Sequence, residues 1–265
     1  MSSFWKFRKP TGPTPSKQVP PPASPPPEEP KLVERVSAPS VSPPGSIRLT
    51  LAAPCVRRYD LLQALLWSAE RGTLKPDKYY VVDNGLDLIP RMIRKEINLP
   101  PNTYVHTPQR PLGVAGAWNQ IMRENEDLIL ISNDDVELGH DTARMLAVAA
   151  MDPDADFVCP SGDHGAMFCV FIPKKSLWNR IGPFDERFYP AYFEDNDYHQ
   201  RMKLVSAKEV YIKGAHYSHV GSATLKSLSG AEMNQHHTDF DKNRTLYVQK
   251  WGGLPGQETN KEPAC

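Results

Sequence analysis

The sequence predicts an α/β protein: one domain with a mainly parallel central sheet covered by helices on both faces. Three observations carry this expectation. From residue 46 onward, short apolar runs alternate with segments of helical periodicity. The apolar runs are continuous rather than alternating, as in strands buried on both sides. Polar clusters stand directly after several of these runs, where α/β sheets bind their ligands.

In chain order, "SIRLTLAAP" (46–54) reads as a strand, and "RYDLLQALLWSAE" (58–70) has apolar residues at helical spacing with an acid in its first turn. "KYYVVDNG" (78–85) is a second strand closed by a turn signal. "TYVHT" (103–107) is a short third strand, "GVAGAWNQIMREN" (113–125) a helix opening on small residues, and "DLILISND" (127–134) a fourth strand. "HDTARMLAVAAM" (140–151) follows as a helix. The second half is less regular. It holds a strand near "CVFIP", a short helix, an aromatic loop, a charged helix at 192–204, a strand at "EVYIKG" and a closing helix at "DFDKNRTLYVQKWGG" (239–253).

Residues 1–45 differ in kind. Thirteen of the 27 prolines fall in the first 44 residues. A segment so poor in backbone donors cannot pack a core, so it reads as a disordered Pro-rich tether. Its tip, "FWKFRK", reads first as a solvated tail, and its mix of aromatics and cations would also allow weak contact with a membrane surface or a partner protein. The expected division is therefore a tether at 1–45, a folded domain at 46–253 and a flexible tail at 254–265.

Thirty-one basic residues balance thirty-one acidic ones, so no global field draws the protein to nucleic acid. A local patch in the second half remains open, from the lysines and arginines at 174, 175, 180, 201, 203, 208 and 213. The four cysteines lie far apart without a CxxC pair, which suits neither zinc nor a disulfide framework. With no transmembrane-length apolar run and no secretory leader, a cytoplasmic location is expected.

Three polar clusters, Pro54-Cys55, Asp83-Asn84 and Asn133-Asp134-Asp135, follow strand ends and should converge on one crevice. Alone, the last reads as a turn. In a crevice, one or two carboxylates plus phosphate oxygens suit Mg2+ or Mn2+. "YFEDNDYHQRMKL" (192–204) adds Glu194 and Asp195 at a helix start, with Asp197 and Arg201 as an i, i+4 pair that leaves Asp195 ionised and able to act as a general base. Read blandly, it is a charge cluster at a helix start, but the flanking aromatics argue against plain exposure. His216 and His219 follow late in the chain, and either suits a metal site; His236-His237 reads as loop, and His164 as loop near the pocket. Gly113, Ala115, Gly116 and Ala117 allow close backbone approach at a helix start, but no GxGxxG or P-loop lysine is present.

Together, "VVDNG", "PLGVAGAWNQIM", "LISNDDVEL", "IGPFDERFYPAYFEDNDYHQRM" and "HVGSAT" resemble, in order and spacing, the GT-A glycosyltransferases of family 2 and their rhamnosyltransferase-like branch, from about Arg48 to Gly253. The resemblance implies a GT-A (Rossmann-like) fold and a nucleotide-sugar donor, expected to be a UDP-sugar. It implies donor binding by Pro54, Cys55, Asp83 (the base), Asn84, Gly113, Gly116, Asn119, Asn133 and Asp134. It implies a metal at Asp135 and His219, and Asp195 as base preceded by Glu194, in a single inverting displacement. Asn133 departs from the aspartate usual at the first position of the metal triplet, which loosens the metal expectation. The acceptor is left open: a glycan, lipid carrier, protein or modified nucleobase. The alternatives are a sugar-phosphate nucleotidyltransferase, disfavoured because "AAPCVRRYD" lacks a glycine run, and a non-catalytic binding domain.

Overall fold

The computed structural model describes residues 47–125, 128–161, 167–221 and 228–262. The Pro-rich tether and His164 lie outside the described residues. Seven strands form the main sheet in the order β3-β2-β1-β4-β7-β6-β8. They are β1 Leu49–Cys55, β2 Lys78–Asp83, β3 Thr103–His106, β4 Leu128–Ser132, β6 Phe157–Pro160, β7 Val170–Pro173 and β8 Glu209–Ile212. β5 Val136–Leu138 and β9 Tyr217–His219 make a separate two-stranded ribbon. The strand pairs β1/β2, β2/β3 and β1/β4 are parallel, as expected. β7 runs antiparallel to both β4 and β6, and β8 is parallel to β6.

Helices α1 Tyr59–Glu70 and α4 Thr142–Ala150 cover one face of the sheet; α3 Gly113–Glu124, α5 Lys175–Ile181 and α6 Glu194–Leu204 cover the other. The strands show why. Leu49, Leu51 and Ala53 of β1 face the first layer and Ala52 the second, and in β2 Tyr79 and Val81 alternate with Tyr80 and Val82. A period-2 strand that is apolar on both faces must be covered on both. A short helix, α2 (Leu88–Ile93), follows β2, and a long one, α7 (Gly230–Trp251), closes the fold.

The sheet also fixes where a ligand can enter. The chain steps from β1 to β2 and β3 on one side, then crosses back to β4 on the other, so the switch point lies between β1 and β4. Their pairing ends at Ala52↔Ile131. Cys55 continues toward β2, its carbonyl accepting from Asn84 N at 2.7 Å. Pro54 thus faces the side where β4 has already parted, and its missing N–H leaves no ladder bond unmade.

α7 begins nine residues earlier than the sequence reading placed it. His236 and His237 are helical, not loop. The start is a capping box: Ser229 Oγ accepts from Glu232 N, and Glu232 Oε2 accepts from Ser229 N. The segment expected as a free tail folds back on the helix end, where Thr259 N and Asn260 N both donate to Trp251 O at 3.0 Å.

α7 is locked to α6 by a buried polar knot. Asp197, fully buried, accepts from Arg201 (Nε 3.0 Å) through Oδ2 and from Trp251 Nε1 (2.9 Å) through Oδ1. Lys250 Nζ lies 2.5 Å from the same Oδ1 and 2.8 Å from Asp185 Oδ2. The Asp197–Arg201 pair read from the sequence is present. Removing one member of such a cluster leaves buried charge without a partner. Asp197→Ala should therefore lower unfolding free energy by about 3–5 kcal/mol in urea titration; a loss below about 1 kcal/mol would show the knot to be incidental.

Candidate functional site

A cleft of about 900 Å3 opens at the carboxyl ends of the strands. Pro54 and Cys55 reach it from β1, Asn84 from the end of β2, Gly113 from the start of α3, and Asn133, Asp134 and Asp135 from the turn after β4. Glu194 and Asp195 of α6 and His219 of β9 line it as well. The carboxylates expected to act on opposite sides of a sugar, Asp135 and Asp195, thus share one cavity.

The ribbon β5/β9 makes the Asp135–His219 pair. Its register sets Val136 opposite His219, and Val220 N donates to Asp135 O at 3.0 Å. His219 Nε2 then lies 2.9 Å from Asp135 Oδ1. The other ring nitrogen, Nδ1, lies 3.7 Å from Cys169 Sγ. These two partners, Asp135 first, push the imidazole up to about 10. Among the described residues no three carboxylate, imidazole or thiol groups gather into a self-contained cation site. One carboxylate and one imidazole facing a cleft fit a divalent cation that takes the place of the imidazole's proton and draws its remaining ligands from phosphate and water, and the mixed oxygen and nitrogen set suits manganese. His216, the other candidate, does not reach the cleft: its side chain is exposed, and its carbonyl anchors Gly139 N and Thr142 Oγ1.

Asp134 is half-buried beside Cys55. Burial first, and then the Asp135 charge, raise its carboxyl to about 6, against a Cys55 hydrogen bond that lowers it. Asn133, the departure from the metal triplet, is bound elsewhere: its N–H donates to Cys169 O at 2.9 Å, and its amide Nδ2 lies 3.4 Å from Cys169 Sγ. It fastens the turn to the start of β7.

Three residues expected at the donor lie outside the cleft lining. Asp83 is fully buried, its carboxylate accepting from Tyr59 OH (2.7 Å) and Leu88 N (2.9 Å). It builds the turn into α2 rather than facing a base. Asn119 is also fully buried; its Nδ2 donates to Phe184 O and Glu186 Oε1, and its Oδ1 accepts from Phe184 N. Gly116 packs against Leu112 and Glu186, where a Cβ would fall 3.0 Å from Leu112 Cβ. Asn84 both lines the cleft and braces it, donating to Gly113 O and accepting from Leu112 N. Gly113 is required in place: φ is +71°, and a Cβ would meet Pro190 O at 2.8 Å.

Glu194 is 5% exposed, and its Oε2 has no hydrogen-bond partner. Burial, then the neighbouring Asp195, raise its carboxyl well above the ordinary range. Asp195 is half-buried, its Oδ1 accepting from Asn196 N at 2.7 Å; burial raises it also. The expectation that Asp195 simply stays ionised is thereby modified, because a desolvated carboxylate holds its proton more strongly. The backbone before them is strained: Tyr192 and Phe193 both have positive φ, 79° and 72°. Such residues cost about 1–2 kcal/mol each. α7 offsets the strain. Asn243 Nδ2 donates to Ala191 O at 2.8 Å, and Phe193 packs on Phe240 and Tyr247.

Several cleft residues escaped the sequence reading. Arg57, just after β1, forms an ion pair with Glu232 of α7. His199 lines the wall and bonds Glu209 Oε1 at 3.0 Å, whose Oε2 accepts from Tyr211 OH at 2.6 Å. Glu232, Gln235, His236 and Asp239 reach the cleft from α7. The S-x-x-E run Ser229–Glu232 was the available signal for that helix start. The basic patch does not form at the cleft. None of residues 174, 175, 180, 201, 203, 208 and 213 lines it. Arg180 pairs with Asp156, Lys208 lies near Asp152 and Asp154, and Lys174 binds Asp152 O.

Known proteins share this architecture. The mannosyltransferase PcManGT from Pyrobaculum calidifontis, solved with GDP-Man and Mn2+, superposes with a TM-score of 0.52 at 15% identity, over 65% of this chain and 56% of that one. S. aureus TarS 1-349, solved with UDP-GlcNAc, gives 0.54 at 16% identity, over 76% and 66%. A galactofuranosyl glycosyltransferase from Leishmania donovani is 29% identical over 87 residues, 33% of this chain and 19% of that protein. The chain thus spans a fifth of the length of that relative and just over half of the mannosyltransferase. The fold is GT-A: a mixed α/β domain with a mainly parallel central sheet flanked by helices. Among the described residues no helix is long and apolar enough to cross a membrane. Residues 50–210, more than half of the chain, match the family model for glycosyl transferase family 2, and the protein belongs to that family.

Proposed function

We propose that the chain is an inverting glycosyltransferase of the rhamnosyltransferase-like branch, moving a sugar from a nucleotide-sugar donor, a UDP-sugar, to an acceptor hydroxyl. The observation that carries this reading is the shared cleft: Asp135 with His219 on the β4 side and Asp195 on the α6 side line one cavity. The ED-x-D-x-x-x-R run and a neighbour solved with UDP-GlcNAc support the branch and the donor.

The donor's diphosphate would lie at the turn after β4, beside the backbone of Pro54 and Gly113. A divalent cation, Mn2+ or Mg2+, held by Asp135 and His219 would supply Lewis-acid compensation of the charge on the diphosphate. Asp195 would accept the proton of the incoming hydroxyl as its oxygen bonds to the anomeric carbon. The bond to the diphosphate breaks on the opposite face, which inverts the configuration. Glu194 is less suited to be the base, because deeper burial and the charge of Asp195 raise its carboxyl well above the ordinary range. It would contribute instead as a hydroxyl-bearing or accepting group beside the base.

The first test is nucleoside diphosphate release across a panel of donors, with and without manganese. Release with one donor fits the proposal, whereas pyrophosphate as product would indicate a nucleotidyltransferase. Asp195→Asn should lower turnover by about 10²–10⁴-fold with donor affinity retained; wild-type turnover in the mutant removes Asp195 as base. Because the raised Asp195 must be ionised to act, the acid limb of kcat/KM should lie above the ordinary aspartate range of ~3.9. Asp135→Ala should weaken manganese-dependent donor binding about tenfold or more in calorimetry, and unchanged affinity would mean that the diphosphate is held elsewhere.

Glu194 also makes a stability prediction. Its folded pKa lies above the unfolded one, so folding takes up a proton, and stability declines as pH rises past ~4.3. Glu194→Gln should remove that decline and raise stability near pH 8 relative to wild type. Parallel pH–stability curves for mutant and wild type would refute it.

A further inference from the structure

Glu232, Gln235, His236 and Asp239 fall at i, i+3, i+4 and i+7 on α7, and all four line the cleft. That spacing places them on one stripe of the helix. Gln235 Nε2 donates to Asp239 Oδ1 at 3.1 Å, and the His236 ring sits edge-on to Tyr192, 5.2 Å between centroids. A polar helix stripe therefore meets an aromatic ring three residues before Asp195. The same cleft is lined by Glu194, whose buried Oε2 has no hydrogen-bond partner. A buried polar atom of this kind at the wall of a cavity calls for a ligand group able to hydrogen-bond, and a hydroxyl serves whether the carboxyl is ionised or not.

The charge of the wall narrows the choice. The described lining residues include six carboxylates: Asp134, Asp135, Glu194, Asp195, Glu232 and Asp239. Among lysines and arginines they include only Arg57, which Glu232 already engages. Negative charge near Asp135 can be met by a cation arriving with the donor. On the α7 side Arg57 offsets Glu232, and no other lysine or arginine stands among the described lining residues to offset Asp239, Glu194 or Asp195, so an acceptor phosphate would still meet carboxylates at close range. Aromatic, amide and carboxylate groups together are well matched to an array of hydroxyls.

We propose that this face of α7, with Tyr192, is the acceptor wall, and that it selects an uncharged, hydroxyl-rich glycoside over a phosphorylated or nucleic-acid acceptor. The inference rests on the transferase reading and names its acceptor class. The test is binding to the full-length chain, with uridine diphosphate and manganese present. The probes are methyl glycosides of glucose, galactose and mannose, their 6-phosphates, and a short single-stranded DNA. At least one neutral glycoside should bind about tenfold more tightly than its phosphate. That preference should shrink about fivefold in Glu232→Gln/Asp239→Asn. If the double variant folds poorly, Asp239→Asn alone should shift the preference the same way. Phosphates or DNA binding as tightly as the glycosides, a preference unchanged by the variants, or no binding by any probe overturns the inference. The two failures are separable: absence of diphosphate release with every donor sinks the transferase reading, while selective glycoside binding would persist.

Discussion

The buried Asp197 carboxylate is the contact on which the active half of the cleft depends. It sits one turn inside α6 and accepts from Arg201 on the same helix and from Trp251 at the end of α7, with Lys250 against it. One side chain thereby fixes the rotation of α6 and the docking of a 22-residue helix. Rotation matters because Glu194 and Asp195 precede Asp197 on the same helix. Docking matters because α7 supplies Asn243, which gathers the carbonyls of the loop that enters α6. Two consecutive left-handed residues, Tyr192 and Phe193, can persist there because the surrounding structure over-determines them.

The parallel half of the sheet was legible because its signal is local. Continuous apolar runs in β1, β2 and β4, and helical spacing in α1, α3 and α4, each lie within a dozen residues. The switch-point rule then brings the strand ends together without further information. The Asp197–Arg201 pair was legible for the same reason, being an i, i+4 contact within one helix. What failed depends on distant partners. Asp83 and Asn119 have the residue types of a binding site, but their bonding capacity is taken by Tyr59 and Leu88 in one case and by Phe184 and Glu186 in the other. No local pattern distinguishes a polar residue that faces a ligand from one that ties two loops together. The patch left open for the second-half lysines and arginines could not be decided locally, since the acidic run at 152–156 that pairs with Arg180 and Lys208 lies in another element.

α7 shows a different kind of miss. Its hydrophobic pattern is weak because one side faces a polar cleft, so apolar periodicity marks only its second half, where Tyr247 and Trp251 are buried. The start is encoded in capping chemistry rather than hydrophobicity. A helix whose inner face lines a polar cleft escapes any reading that equates inward with apolar.

The β5/β9 ribbon has a consequence for how a cation would be held. His219 stands beside Asp135 only because a three-residue strand returns antiparallel to the segment that follows the aspartate. Slipping that pairing by one residue would turn the imidazole to the opposite face. So short a ribbon has little intrinsic stability of its own. A cation held there would tie ion affinity and local order at this edge into a single equilibrium, serving as the ribbon's cross-link.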